Sequence, residues 1–93
     1  MGAVECVALE GLSLWFNSSD HLPPHLHVER VGHWEYRVFF LREGDAMLEK
    51  KWGRSDPTSA ERKRILSAAT THRVALLNEW HRKVKPASPG PTR

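Results

Sequence analysis

Apolar and polar positions alternate with a period of two through the first half of the chain and with a helical period through much of the second. Ala3 to Leu9 is mixed but tolerant of extended structure, and Glu10-Gly11 reads as a turn. Leu12, Leu14 and Phe16 then alternate with Ser13 and Trp15, which predicts a second strand with one set on each face. Asn17 to Asp20 is loop chemistry. His25 to Arg30 predicts a third strand, with His25 and His27 on one face and Leu26 and Val28 on the other. After a tight connection at Val31-Gly32-His33, Trp34 to Arg42 predicts a fourth. Tyr36, Val38 and Phe40 share one of its faces, and Glu35, Arg37 and Phe39 the other. Glu43-Gly44-Asp45 is a hairpin signal, and Ala46 to Trp52 reads as a fifth strand with Met47 as an anchor.

Gly53 to Pro57 interrupts the alternation. Thr58-Ser59-Ala60-Glu61 has the form of a capping box, with Thr58 as N-cap and Glu61 reaching back. One long helix is predicted from there to about Val84. Ile65, Ala69, His72, Leu76 and Trp80 form its apolar stripe, and His72 reads as a half-buried member of it. The expected fold is α+β: a small antiparallel sheet of four to five strands with one long C-terminal helix packed on it. Residues 1–85 are expected to form a single domain. Residues 86–93 hold three prolines and are expected to be a disordered tail.

The densest candidate chemistry is Asp20-His21-Leu22-Pro23-Pro24-His25-Leu26-His27, which holds three of the six histidines. Imidazole titrates near neutral pH and is the commonest metal ligand. The prolines fix φ at two positions and push Leu22 toward extended backbone. His25 and His27 would then project together from a stiffened strand start. Asp20, His21, His25 and His27 are candidate ligands for a metal, zinc being the natural one, since catalytic zinc keeps three protein ligands and one open position. No cofactor is otherwise expected. Without a metal, His25 and His27 are candidate catalytic groups, one as general base and one as general acid. Arg30, Arg37 or Lys51 would supply a cation for a phosphate, depending on register. A purely structural role for the histidines stands beside these readings.

The same motif carries a resemblance. Phe16 to Val28, with its acidic residue followed by H-x-P-P-H-x-H-V, resembles the signature of a family of small bacterial proteins known only as a domain of unknown function. Gly11 to Phe16 looks like that family's opening strand, and Leu76 to Trp80 like its closing helix. Family members usually have Phe where this chain has Leu26, so an apolar inward contact is kept and an aromatic one lost. The resemblance implies a toxin–antitoxin-like setting, with an antitoxin-like protein partner or RNA as what the chain meets.

Charge sharpens that expectation. Residues 1–46 carry three arginines against seven acidic residues, a net −4, whereas residues 47–93 carry +7. A chain so polarised can offer a basic surface to RNA or to an acidic protein. His21, Arg30, Trp34, Lys50, Lys51 and Arg54 are the candidate binding residues, Trp34 as an aromatic that could stack a base. Trp15, Trp34 and Trp52 are not all expected inside so small a domain, whereas Trp80 reads as a core anchor. Cys6 is the single cysteine, so no internal disulfide forms, and a cytoplasmic location is expected. No signal-like or membrane-spanning run is present. An edge strand leaves homodimer formation open. The leading expectation is a member of the toxin–antitoxin-like pair that the resemblance implies, meeting RNA or an acidic protein through its histidine face and basic C-terminal half; a small nucleic-acid hydrolase using His25 and His27, with or without a metal, and a non-catalytic protein-binding adaptor are the alternatives. The sequence contains no phosphate-gripping glycine loop or nucleophile elbow.

Overall fold

A computed structural model describes residues 2–84. The tail expected over residues 86–93 lies outside the described residues. Five strands form one antiparallel meander in chain order: β1 (Gly2–Ala3), β2 (Ser13–Phe16), β3 (Leu26–Arg30), β4 (Trp34–Val38) and β5 (Leu48–Gly53). Two helices follow, α1 (Ser59–Thr71) and α2 (Arg73–Lys83). The architecture is therefore α+β, as the alternation predicted.

Alternation decides what each face does. Phe16 of β2, Leu26 and Val28 of β3, and Trp34, Tyr36 and Val38 of β4 are buried in one cluster with Ile65, Ala69, Leu76 and Trp80 of the helices. Each such large side chain withdrawn from water contributes about 1.5–3 kcal/mol before conformational entropy is counted. Leu26 belongs to this core, so its inward apolar contact is present. Their strand neighbours Trp15, His27, Glu35 and Arg37 point to the opposite face, in cross-strand register: Trp15 opposes His27, and His27 opposes Arg37. The tight β3–β4 connection is closed by the His33 amide on the Arg30 carbonyl. Gly32 takes a left-handed φ of 83° there, a conformation that costs glycine little.

Three departures from the expected elements have physical reasons. First, the Ala3–Leu9 strand shrinks to Gly2–Ala3. The amides of Glu5 and Cys6 donate to the Glu79 carboxylate at 2.7 and 3.1 Å instead of to a neighbouring strand. Second, β4 ends at Val38, and the expected hairpin at Glu43 to Asp45 becomes a short 3-10 helix, Gly44–Met47. Phe39 donates its amide to the Met47 carbonyl, and Phe40 and Met47 both drop into the core.

Third, the single long helix is two. The break is at His72, which ends α1 and begins α2 without any side-chain cap. β-branched Thr70 and Thr71, weak helix formers, precede it. The turn lets Arg73 donate to the carbonyls of Phe40 (2.7 Å) and Arg42 (3.1 Å) and to the Glu43 carboxylate (3.2 Å). His72 consequently points to solvent rather than joining the stripe. The predicted start of α1 is present: Thr58 Oγ accepts from the Glu61 amide, and the Glu61 carboxylate accepts from the Thr58 amide. Among the described residues no helix is long and apolar enough to cross a membrane.

Candidate functional site

The histidines lie on the sheet face turned away from the helices. The loop from Asn17 to His25 folds over that face and holds itself in place. Its first turn closes when Asp20 donates its amide to the Asn17 carbonyl and Asn17 donates its amide back to Asp20 Oδ2. This brings the Asp20 carboxylate against β3. The Leu22–Pro23 bond is cis. The Pro23 carbonyl then faces His25 Nδ1 at 2.9 Å. A carbonyl oxygen can only accept, so His25 carries a proton on Nδ1 and turns Nε2 toward Asp20, 3.6 Å from Oδ2.

His27 is the centre of the cluster. Its Nε2 lies 2.9 Å from Asp20 Oδ2 and 3.2 Å from the Asn17 amide nitrogen, and its Nδ1 lies 3.5 Å from Glu35 Oε2. Trp15 stacks on one side of the ring with centroids 5.3 Å apart, and His25 meets it edge-on at 5.2 Å. Only 2% of His27 is exposed. Burial pushes its imidazole below the ordinary value, and the neighbouring Asp20 carboxylate offsets this only in part. Phe39 packs against His25 with ring centroids 4.9 Å apart, and the Arg42 guanidinium sits 4.0 Å above the Phe39 ring.

Asn17, Asp20, His25, His27, Phe39 and Arg42 line a cleft of about 350 Å³, with Trp15 and Glu35 packed behind His27. Asp20, His25 and His27 sit in its wall together with Arg37, Arg42 and Lys51, so three cations meet two carboxylates, Asp20 and Glu49. Arg37 pairs with Glu49 at 2.9 Å, and Lys51 with Glu35 at 3.3 Å. Arg42 has no carboxylate partner among the described residues.

The structure brings Asp20, His25 and His27 together, with one ligand atom from each within 4.8 Å of the others. His21 lines the cleft but stands outside that group, so the four-residue metal set contracts to three. Lys51 lines the cleft as well. The other expected binding residues do not. Trp34 is 1% exposed in the core, which leaves no ring face to stack a base. Arg30 ion-pairs with Glu61 of α1 at 3.0 Å, and Lys50 with Asp56 at 3.0 Å. Arg54 donates its amide to the His33 carbonyl at the far end of β5. The tryptophans divide as the domain size requires: Trp34 and Trp80 are buried, Trp15 half-buried and Trp52 exposed.

Asn17, Glu35, Phe39 and Arg42 belong to the site without having been singled out. For Glu35 and Phe39 the signal existed, because β4 alternation places both on the face shared by Arg37. For Arg42 there was none, since its position depends on how the chain leaves β4. Cys6 lies elsewhere, beside Glu79. Burial, and then its contact with that carboxylate, push its thiol up to about 11, so it is a poor nucleophile.

Residues 11–81 match the model of a family described as a domain of unknown function (DUF4160). No curated protein and no solved structure matches the chain.

Proposed function

The chain belongs to the DUF4160 family, whose description carries no activity, and from the cleft itself we propose that it is a small hydrolase of RNA phosphodiesters. A single observation carries this reading: a carboxylate set against two buried imidazoles shares one cleft with three cationic side chains. Phosphodiester hydrolysis needs both. Negative charge grows on the non-bridging oxygens as the nucleophile arrives, and preorganised cations stabilise it. In the reaction a water oxygen bonds to phosphorus as the bond to the ribose oxygen breaks. One water proton ends on the leaving oxygen and the other on the product phosphate or in solvent.

Asp20, His25 and His27 would activate the water, and Arg37, Arg42 and Lys51 would hold the phosphate. Arg42 is the strongest phosphate ligand of the three, because no carboxylate among the described residues competes for it. Phe39 lies under the Arg42 guanidinium, its ring centroid 4.0 Å away. Within a toxin–antitoxin-like pair, an acidic partner protein would silence the chain by occupying the same cationic cleft.

The test is cleavage of a labelled RNA oligonucleotide by purified protein, with divalent ions supplied and then withheld. Wild type should cut, and His25→Ala should lose at least about 100-fold in rate while keeping its fold. Arg42→Ala should weaken RNA binding and flatten its salt dependence by about one phosphate contact. Binding that ignores salt, or full cleavage by His25→Ala, would overturn the proposal.

A further inference from the structure

The proton count around His27 does not close. Nε2 faces the Asp20 carboxylate at 2.9 Å, and Nδ1 faces the Glu35 carboxylate at 3.5 Å. A neutral imidazole has one proton for these two acceptors. Placed on Nε2, it satisfies Asp20 and leaves the Nδ1 lone pair against Glu35. Placed on Nδ1, it points toward Glu35 across 3.5 Å and turns the Nε2 lone pair on Asp20, with only the Asn17 amide nearby to donate. His27 Nδ1 and Glu35 Oε2 are in fact buried without hydrogen-bond partners, although the Lys51 ammonium stands 3.3 Å from that oxygen. Both side chains are at least nine-tenths buried. His25 adds a further lone pair on the same side, because its proton is fixed on Nδ1 by the Pro23 carbonyl.

With the His27 proton on Nδ1, three lone-pair donors converge: a carboxylate oxygen of Asp20, His25 Nε2 and His27 Nε2. Convergent lone pairs without protons to share are the electrostatic signature of a cation site. We propose that Asp20, His25 and His27 bind one divalent transition-metal ion of the zinc class, with Glu35 holding the His27 Nδ1 proton and Lys51 holding Glu35. The Asp20 oxygen lies 2.9 Å from one imidazole nitrogen and 3.6 Å from the other. Tetrahedral zinc with bonds of about 2.0–2.1 Å places its ligands about 3.3 Å apart, close to both Asp20 distances, and the three donors, within 4.8 Å of one another, would draw together on the ion.

Three protein ligands leave a coordination position open, as catalytic rather than structural zinc sites do. The cleft between Arg37 and Arg42 is where that position would open. The two outer contacts, Pro23 carbonyl to His25 and Glu35 carboxylate to His27, are of the kind that fix ring orientation in metal centres. The donor set favours zinc-class ions over magnesium or calcium, which prefer oxygen ligands.

The inference deepens the hydrolase reading but is tested without RNA. Chelator-treated protein is titrated with zinc chloride by calorimetry and by imidazole-resolved nitrogen NMR. One ion per chain should bind in the low-micromolar range or tighter. The Nε2 signals of His25 and His27 should move, while Nδ1 of both stays protonated. Asp20→Asn should lose most of the affinity, and Glu35→Gln should lose about 10–100-fold. His81→Ala, on the exposed end of α2, should change nothing.

The two variants are first checked for a native amide spectrum, so that loss of binding is not loss of fold. No saturable zinc binding by folded wild type overturns the proposal. So does a His27 ring that carries two protons and ignores zinc, or binding that survives Asp20→Asn unchanged. Zinc bound as described but no RNA cleaved would sink the hydrolase reading and leave the metal site standing. Cleavage that a chelator leaves untouched, with no zinc bound, would do the reverse.

Discussion

Removing one charge at Glu79 should unfasten the N-terminal segment from the helix it lies on. Glu79 is fully buried on α2. Its carboxylate accepts from the amides of Glu5 (2.7 Å) and Cys6 (3.1 Å) and from Lys83 Nζ (2.8 Å). Lys83 in turn donates to the Ala3 carbonyl at 2.7 Å, so both ends of the ion pair hold the same stretch. Glu79→Gln keeps the shape and one acceptor but sets an amide NH₂ against a backbone donor. Hydrogen bonds to charged groups are worth about 1.5–3 kcal/mol each, and an unmet buried donor adds to the loss. We expect a destabilisation of about 2–3 kcal/mol, read as a melting temperature lower by about 10–20 °C for a domain of this size.

The pH dependence of that difference follows from the same contacts. Burial pushes the Glu79 carboxyl up, but Lys83 and the Glu5 and Cys6 amides outweigh it and hold the group below the ordinary glutamate value. A folded-state value below the unfolded one stabilises the fold above the unfolded value of about 4.3, and that contribution drains away as pH falls toward the folded one. Urea titrations of wild type and Glu79→Gln should therefore differ most near neutrality and converge in acid. Amide exchange at Glu5 and Cys6 should speed up in the variant before the sheet amides do. A variant within about 0.5 kcal/mol of wild type at pH 7, or a gap that widens in acid, would refute the reasoning.

Other substitutions probe separate parts of the argument. Thr58→Ala removes the side-chain half of the capping box and should cost about 1 kcal/mol in denaturant titration. Gly53→Ala should cost about 1–3 kcal/mol, because the new methyl would meet the Ser55 carbonyl at 2.7 Å and Trp34 Cβ at 2.9 Å. Leu76→Ala, at a fully buried position between helix and sheet, should cost about 2–5 kcal/mol in the same assay. Trp52→Ala, at a 40% exposed position, should stay within about 0.5 kcal/mol of wild type in thermal melts.

What the sequence disclosed depended on how far apart the interacting residues lie. β2, β3 and the first part of β4 were legible because one face meets the helices and must be apolar, so the alternation is clean. Asp20, His25 and His27 were legible as a group because seven residues and two prolines tie them together. Glu79 was not, since a lone acid beside Trp80 reads as part of a solvated helix face. Its partners lie 73 and 74 residues away. The same contact hid the loss of the Ala3–Leu9 strand. Periodicity carries the apolar stripe through His72, a position where the helix in fact turns. Nothing in the sequence ranks the tryptophans by depth, so Trp34 carries no mark of a core residue. Its place beside Tyr36, edge-on at 5.6 Å, fills the sheet's buried side.

On β3 the core and the site share five residues. Leu26 and Val28 serve the interior while His27, between them, serves the cleft. A slip of this strand by one residue would exchange the two sets, sending the imidazole among apolar side chains and presenting aliphatic ones to the cleft. The pairing that closes the core therefore also assembles the cleft, and a chain mispaired at β3 would lose both together.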